Sequence, residues 1–211
     1  MSSGLLATEQ GVLEVQDAIR GHELDGWLLY EFRGLNPISA ALLGLGKTTR
    51  RGFVLIPDEG EPVALTHSIE ASSWRHWPFG RRTYSSWSEM ETEVAKLVDG
   101  RSRLAMEVSP GAAVPTLDYV PAGMASVLLA LGVSMVSSGD LVSRFHSAWS
   151  ETQLEEHRRA AEIVAATARG AFEKAADAVR TGSPTCEGAL SEWIRDELRK
   201  AGLVAGTDCI V

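Results

Sequence analysis

Gly44-Leu45-Gly46-Lys47-Thr48 has the residue types of a phosphate-binding loop, where backbone N–H groups and a lysine cradle phosphates. The pattern requires a glycine five places before Gly46, and Ala41 stands there. It also requires a helix next, whereas the apolar run Phe53 to Ile56 reads as a strand. The histidines His22, His67, His76, His146 and His157 show no metal-ligand spacing, and there is no H-E-x-x-H or paired C-x-x-C. His67 with Glu70, and Asp208 with Cys209, each offer two ligands, fewer than the three a catalytic zinc takes from protein. His157 falls between Leu154 and Ala161 on an apolar stripe and reads as an interfacial histidine. Cys186 and Cys209 read as core thiols, and no serine stands in a G-x-S-x-G elbow. Arg50-Arg51 and Arg81-Arg82 are basic pairs whose default role is solvated surface charge. From chemistry alone, no active site assembles.

The elements that would carry these residues fall into two groups. Thr8 caps a helix to residue 21 with Val12, Val15 and Ile19 on one face. Asp25-Gly26 is a turn into the strand Trp27 to Tyr30, and Pro37 opens a short helix. Gly52 to Pro57 and Pro62 to Thr66 form a hairpin about Asp58 to Glu61. A helix over Ser68 to Arg75, a strand over Arg82 to Ser85, and a helix opened by a capping box at Ser88-Glu89-Met90-Glu91 follow. Arg103 to Val108 is a strand, Pro121 to Leu131 a helix, Val133 to Val136 a strand and Leu141 to Phe145 a helical link. That order describes an α/β domain with a mixed sheet flanked by helices.

At Ser150-Glu151-Thr152-Gln153 the character changes. This capping box opens a long helix whose Leu154, Ala161, Val164, Ala165, Ala168, Phe172, Ala175, Ala176 and Val179 form one apolar stripe. Gly182 and Pro184 stop it, and a second helix runs from about Thr185 to Gly202 with Cys186, Leu190, Trp193, Ile194 and Leu198 inward. Burying each Leu, Ile or Phe contributes about 1.5–3 kcal/mol, so an uncovered stripe should seek a partner, with a second copy of the chain as the expected one. The α/β part is expected to fold independently.

The 211 residues carry a formal charge of −8, with 45% hydrophobic and 23% charged residues. These are the proportions of a globular protein, and the acidic balance argues against nucleic acid as a partner. Neither a signal peptide nor a membrane-spanning run is visible, and two distant cysteines suit a reducing compartment, so the expected location is cytoplasmic.

Three stretches carry a family resemblance: Asp25-Gly26-Trp27-Leu28-Leu29-Tyr30 with Asn36 beyond it, Arg50-Arg51-Gly52-Phe53-Val54-Leu55-Ile56-Pro57, and Ser150 to Ile163. In order and spacing the sequence resembles the aminopeptidase P, prolidase and creatinase family. The resemblance implies a creatinase/prolidase-like N-terminal domain over residues 1–147, and over 148–211 the first two helices of a truncated pita-bread catalytic domain. It implies a full-length Xaa-Pro aminopeptidase or dipeptidase that cleaves the bond before proline in peptides with two divalent metal ions (manganese, cobalt or zinc). The family's metal ligands match no position here, so this chain alone is expected to bind no catalytic metal and to hydrolyse nothing. The resemblance further implies a homodimer in which the loop Lys47 to Arg51 reaches a neighbouring subunit's active site, with Arg50 or Arg51 on a substrate carboxylate. Two alternatives stay open: a non-catalytic dimerisation or binding module, and a creatinase-like amidinohydrolase parent.

Overall fold

β-Strands β1 (Gly26–Glu31), β2 (Gly52–Pro57) and β3 (Val63–His67) lie at the centre of the chain's architecture, and every residue of β1 and β2 is buried. A strand buried on both sides has no polar face, which is why Trp27-Leu28-Leu29-Tyr30 and Phe53-Val54-Leu55-Ile56 read as continuous apolar runs. The computed structural model describes residues 4–46 and 48–206. It divides into two compact units that meet at Ala148 and Trp149.

In the first unit, β4 (Gly80–Tyr84), β5 (Arg103–Met106) and β6 (Ser134–Ser137) complete a six-stranded sheet of order β4-β3-β2-β1-β5-β6. Only β2 runs antiparallel to its neighbours; the register pairs Trp27 with Ile56 on β2 and with Ala105 on β5. Asp25 fixes the β1–β5 junction: its carboxylate accepts the Arg103 and Ser102 N–H groups, and those bonds hold its pKa below the usual value.

Alternation along β1 divides the core. Trp27 and Leu29 pack beneath α1 (Glu9–Gly21), α2 (Pro37–Leu43) and α5 (Gly139–Phe145), through Val15, Ile19, Ile38, Leu42 and Leu141. Leu28 and Tyr30 pack beneath α3 (Trp87–Val98) and α4 (Ala122–Ala130), through Met90, Val94, Leu97, Met124 and Leu128. Thr8 caps α1 by accepting the Gly11 N–H. Gly11 itself lies against the preceding turn: a Cβ there would stand 2.1 Å from the Leu5 carbonyl oxygen. Gly11→Ala should therefore lower stability by about 1–3 kcal/mol despite alanine's higher helix propensity, a sign readable from urea unfolding.

Several elements differ from the sequence reading. The segment from Ser68 forms only a 3-10 turn, Ser68–Glu70, because His67 Nδ1 accepts the Ile69 N–H and the Glu70 carboxylate is bonded elsewhere. Ser86, not Ser88, caps α3: Ser86 Oγ accepts the Glu89 N–H while Glu89 accepts the Ser85 N–H. β5 stops at Met106, because Glu107 turns into a buried hydrogen-bond cluster.

The second unit is a helix pair, α6 (Glu151–Arg180) and α7 (Glu187–Lys200). Ser150 and Gln153 form the reciprocal capping box. The α6 face that α7 covers centres on Thr167 and Ala171, with Trp193 packed close over Gly170. The stripe members Val164, Phe172 and Val179 remain exposed, so the larger side chains of that stripe lie off the packed face. Cys186 is exposed at the α7 N-cap and is no core thiol; it precedes the turn where the helix's inward face begins. His157 is also exposed, its ring 4.4 Å from that of Trp149. No helix among the described residues is long and apolar enough to cross a membrane.

Candidate functional site

Arg51, immediately before β2, has its guanidinium carbon 5.0 Å from the Phe32 ring centre and 5.1 Å from that of Trp87. Four segments build this clamp. Phe32 follows β1, Tyr84 ends β4, Trp87 opens α3, and the Arg51 loop enters β2 at the same end of the strands. A guanidinium over aromatic faces keeps its in-plane N–H groups at the rim, where one side of Arg51 meets the Tyr30 hydroxyl and the remainder can meet a planar anion. No carboxylate pairs with Arg51 among the described residues.

The backbone beneath is fixed from two sides. Tyr84 donates its hydroxyl to the Arg51 carbonyl oxygen at 2.8 Å. Glu70 Oε1 accepts the Thr49 hydroxyl at 2.6 Å and the Thr49 and Arg50 N–H groups at 2.7 and 3.0 Å. Burial works to raise the Glu70 pKa, but the bonds from Thr49 and Arg50 outweigh it and hold it below the usual value. Burial pushes the Tyr84 phenol up to about 12, with the Arg51 charge opposing the shift. Tyr30 is raised for the same reason and opposed by the same arginine.

The structure therefore separates the two arginines that the sequence offered as a pair. Arg51 is clamped, whereas Arg50 is exposed and folds back onto the Thr49 carbonyl and hydroxyl oxygens. His67 and Glu70 do not converge as ligands, since His67 serves the nearby Ile69 N–H and Glu70 the Thr49 and Arg50 N–H groups of another loop. Gly44 is the left-handed C-cap of α2, and the next element among the described residues is the strand β2, which offers no helix N-terminus to a phosphate. Lys47, Asp208 and Cys209 lie outside the described residues. No three of His, Cys, Asp and Glu come together as a metal site among the described residues, so no chemical step through a metal is derived for this chain.

A second cluster lies beneath the neighbouring loop. Glu107 is fully buried and accepts hydrogen bonds from Trp27 Nε1 at 2.7 Å, Asn36 Nδ2 at 2.9 Å and Ser138 Oγ at 3.2 Å. Burial pushes its pKa up to about 7 against the pull of those three donors. Asn36 also caps α2 and lines, with Tyr30, Phe32, Leu35 and Tyr119, a cleft of about 420 Å³. Sequence reasoning missed Phe32, Tyr84, Trp87 and Glu107. The first three come from separate segments with no shared spacing, but an acidic residue directly after Leu104-Ala105-Met106 was a readable sign of a buried carboxyl.

Fold and strand order define the class: a mixed six-stranded sheet flanked by helices, of the creatinase/prolidase N-terminal type. Among solved structures, the chain is similar to the prolidase from Thermococcus sibiricus, with TM-score 0.57 and 15% identity over 90% of this chain and 49% of that one. It is similar to the Xaa-Pro dipeptidase from Bacillus anthracis at TM-score 0.55 and 16% identity, covering 90% of this chain and 48% of that one. The creatinase/prolidase N-terminal domain of an X-Pro dipeptidase from Streptococcus pyogenes matches at TM-score 0.52 and 10% identity, covering 64% of this chain and 98% of that one. The chain thus shares its fold with prolidases and Xaa-Pro dipeptidases over most of its length, and spans about half the length of the two longer structures. No protein-family model and no curated protein matches the sequence.

Proposed function

We propose that this chain is the N-terminal part of an Xaa-Pro dipeptidase-like hydrolase, and that it presents Arg51 to the carboxylate of a proline-containing peptide in a neighbouring subunit. The observation that carries the reading is the Phe32–Arg51–Trp87 clamp at the end of the central strands, on a fold shared with Xaa-Pro dipeptidases. A guanidinium held over two rings, on a backbone tied by Glu70 and Tyr84, loses little freedom when it forks onto a carboxylate. On this reading the two divalent metal ions, manganese, cobalt or zinc, belong to the catalytic half, and the 148–211 helices are the start of that half. The working protein is then a dimer.

Two results are expected. The 211-residue chain alone shows no turnover of Xaa-Pro peptides. In a polypeptide joining it to a complete catalytic half, Arg51→Ala raises KM by about tenfold or more with kcat nearly unchanged, since a hydrogen bond to a charged group contributes about 1.5–3 kcal/mol. Arg50→Ala, whose side chain is turned away, leaves KM within about twofold. Unchanged kinetics in Arg51→Ala would remove Arg51 from substrate binding.

The exposed Val164, Phe172 and Val179 of α6 favour a second reading, a non-catalytic module that pairs with another copy through this stripe. Sedimentation of the isolated chain decides it: a strict monomer at high concentration excludes self-pairing.

A further inference from the structure

Loop 32–36, which joins β1 to α2, carries Phe32 of the Arg51 clamp, and buried carboxyl groups hold it at both ends. Glu31 Oε1 accepts the Gly34 N–H at 2.5 Å, and Glu107 Oε2 accepts Asn36 Nδ2 at 2.9 Å. Asn36 then donates to the Tyr30 carbonyl oxygen and accepts the Ser39 N–H, so one amide ties the loop, the end of β1 and the first turn of α2 to Glu107. Within the loop, Arg33 and Gly34 both take positive φ, at 60° and 71°, a conformation that costs a non-glycine residue energy and that the two anchors must sustain.

No cation offsets Glu107 from any side among the described residues. β1 presents Trp27 and, farther along the same face, the buried carboxyl of Glu31, which burial also holds above its usual pKa. α2 has no titratable residue. α1 and α5 keep Asp17, Arg20, Asp140 and Arg144 at the surface. The segment after β5 brings an exposed Asp118 and a half-buried Tyr119. All three of the side chains that touch Glu107 are neutral donors. An ionised Glu107 is thus a desolvated charge that hydrogen bonds alone support, and Asn36 is one of the groups that keep water from it.

We propose that Glu107 is a positioning residue for the Arg51 clamp: through Asn36, its ionisation sets how firmly loop 32–36 holds Phe32 against the guanidinium. A neutral Glu107 leaves the loop closed and the clamp formed. An ionised one draws the Asn36 bond tighter but favours opening on balance, because burial of the charge outweighs all three donors and hydration is regained only when Asn36 moves away. The link to substrate rests on the reading of Arg51 as the carboxylate arm, but the behaviour of the loop does not.

The experiment uses the 211-residue chain. Trp27 Nε1–H is bonded to Glu107, so its nitrogen–proton resonance, assigned through Trp27→Phe, should titrate with a midpoint near 7. Loop opening is read from exchange protection of the Ser39 amide, which is bonded to Asn36. Its opening constant should rise with pH as Glu107 ionises and level off above about 7. Glu107→Gln should abolish both the titration and the slope. Should that variant fail to fold, Ser138→Ala removes one donor away from the loop and should move the Trp27 midpoint upward. A Trp27 resonance that is flat between about pH 5 and 9, or a Ser39 slope that persists in Glu107→Gln, overturns the proposal. If the slope vanishes in Glu107→Gln while Arg51→Ala leaves KM unchanged, the loop device stands and only the carboxylate reading of Arg51 falls.

Discussion

Replacing Trp27 by alanine is expected to lower the free energy of unfolding by about 3–5 kcal/mol, a cost of the size measured when large aromatic residues are removed from cores. Trp27 is fully buried, sits on the central strand between Ile56 and Ala105, and packs in one cluster with Val15, Ile19 and Ile38. Its loss opens a cavity that strands paired on both sides cannot close. It also takes away the shortest of the three hydrogen bonds to Glu107. Trp27→Phe separates the two contributions, keeping a ring while deleting the N–H, and should cost about 1–3 kcal/mol. Urea unfolding at fixed pH is the measurement. A loss below about 1 kcal/mol for the alanine variant would mean that Trp27 is not central to this core.

The second large effect is a fall in stability as pH rises from the carboxylate range to neutrality. Glu107 ordinarily titrates at 4.5 and in the folded protein at about 7. An acid whose folded pKa is raised binds its proton more tightly when folded, so its contribution is fully present below 4.5 and is lost as pH rises to about 7. A displacement of that size corresponds to about 3 kcal/mol. Asp25 and Glu70 act in the opposite sense: their folded pKa values are lowered, so their contributions are present above the carboxylate range and are lost as pH falls through it. Together these groups give a stability maximum on the acid side of neutrality. Thermal melts from about pH 3 to 9 should rise and then fall, and Glu107→Gln should make the descending limb shallower, leaving what Glu31 adds, with the acid limb in place. A wild-type profile that is level between about pH 5 and 8 would remove Glu107 as a titrating group.

The contrast between Trp27 and Glu107 also shows what could be read without a structure. Strand identity at Trp27 to Tyr30 and Phe53 to Ile56 and the Thr8 and Ser150 caps are local matters. Each depends on side-chain period or on a hydroxyl within three residues of an N–H, so the sequence by itself determined them, together with the α/β class. Family resemblance in three short stretches pointed to the fold that the solved prolidases and dipeptidases share.

Tertiary structure decided the rest. Whether Ser68 to Arg75 became a helix depended on Glu70 finding the Thr49 and Arg50 N–H groups some twenty residues away. Which α6 residues are buried depended on where α7 lies, and the large side chains of its stripe proved to be outside the contact. Arg50 and Arg51 are equivalent in sequence, yet only Arg51 lies over two rings, because Phe32 and Trp87 reach the same end of the strands from separate elements. Glu107 shows the same thing most sharply: Trp27, Asn36 and Ser138 meet it across separations of 80, 71 and 31 residues. Periodicity reports on neighbours three or four positions apart, whereas a buried charge is governed by whichever donors the closed sheet brings to it.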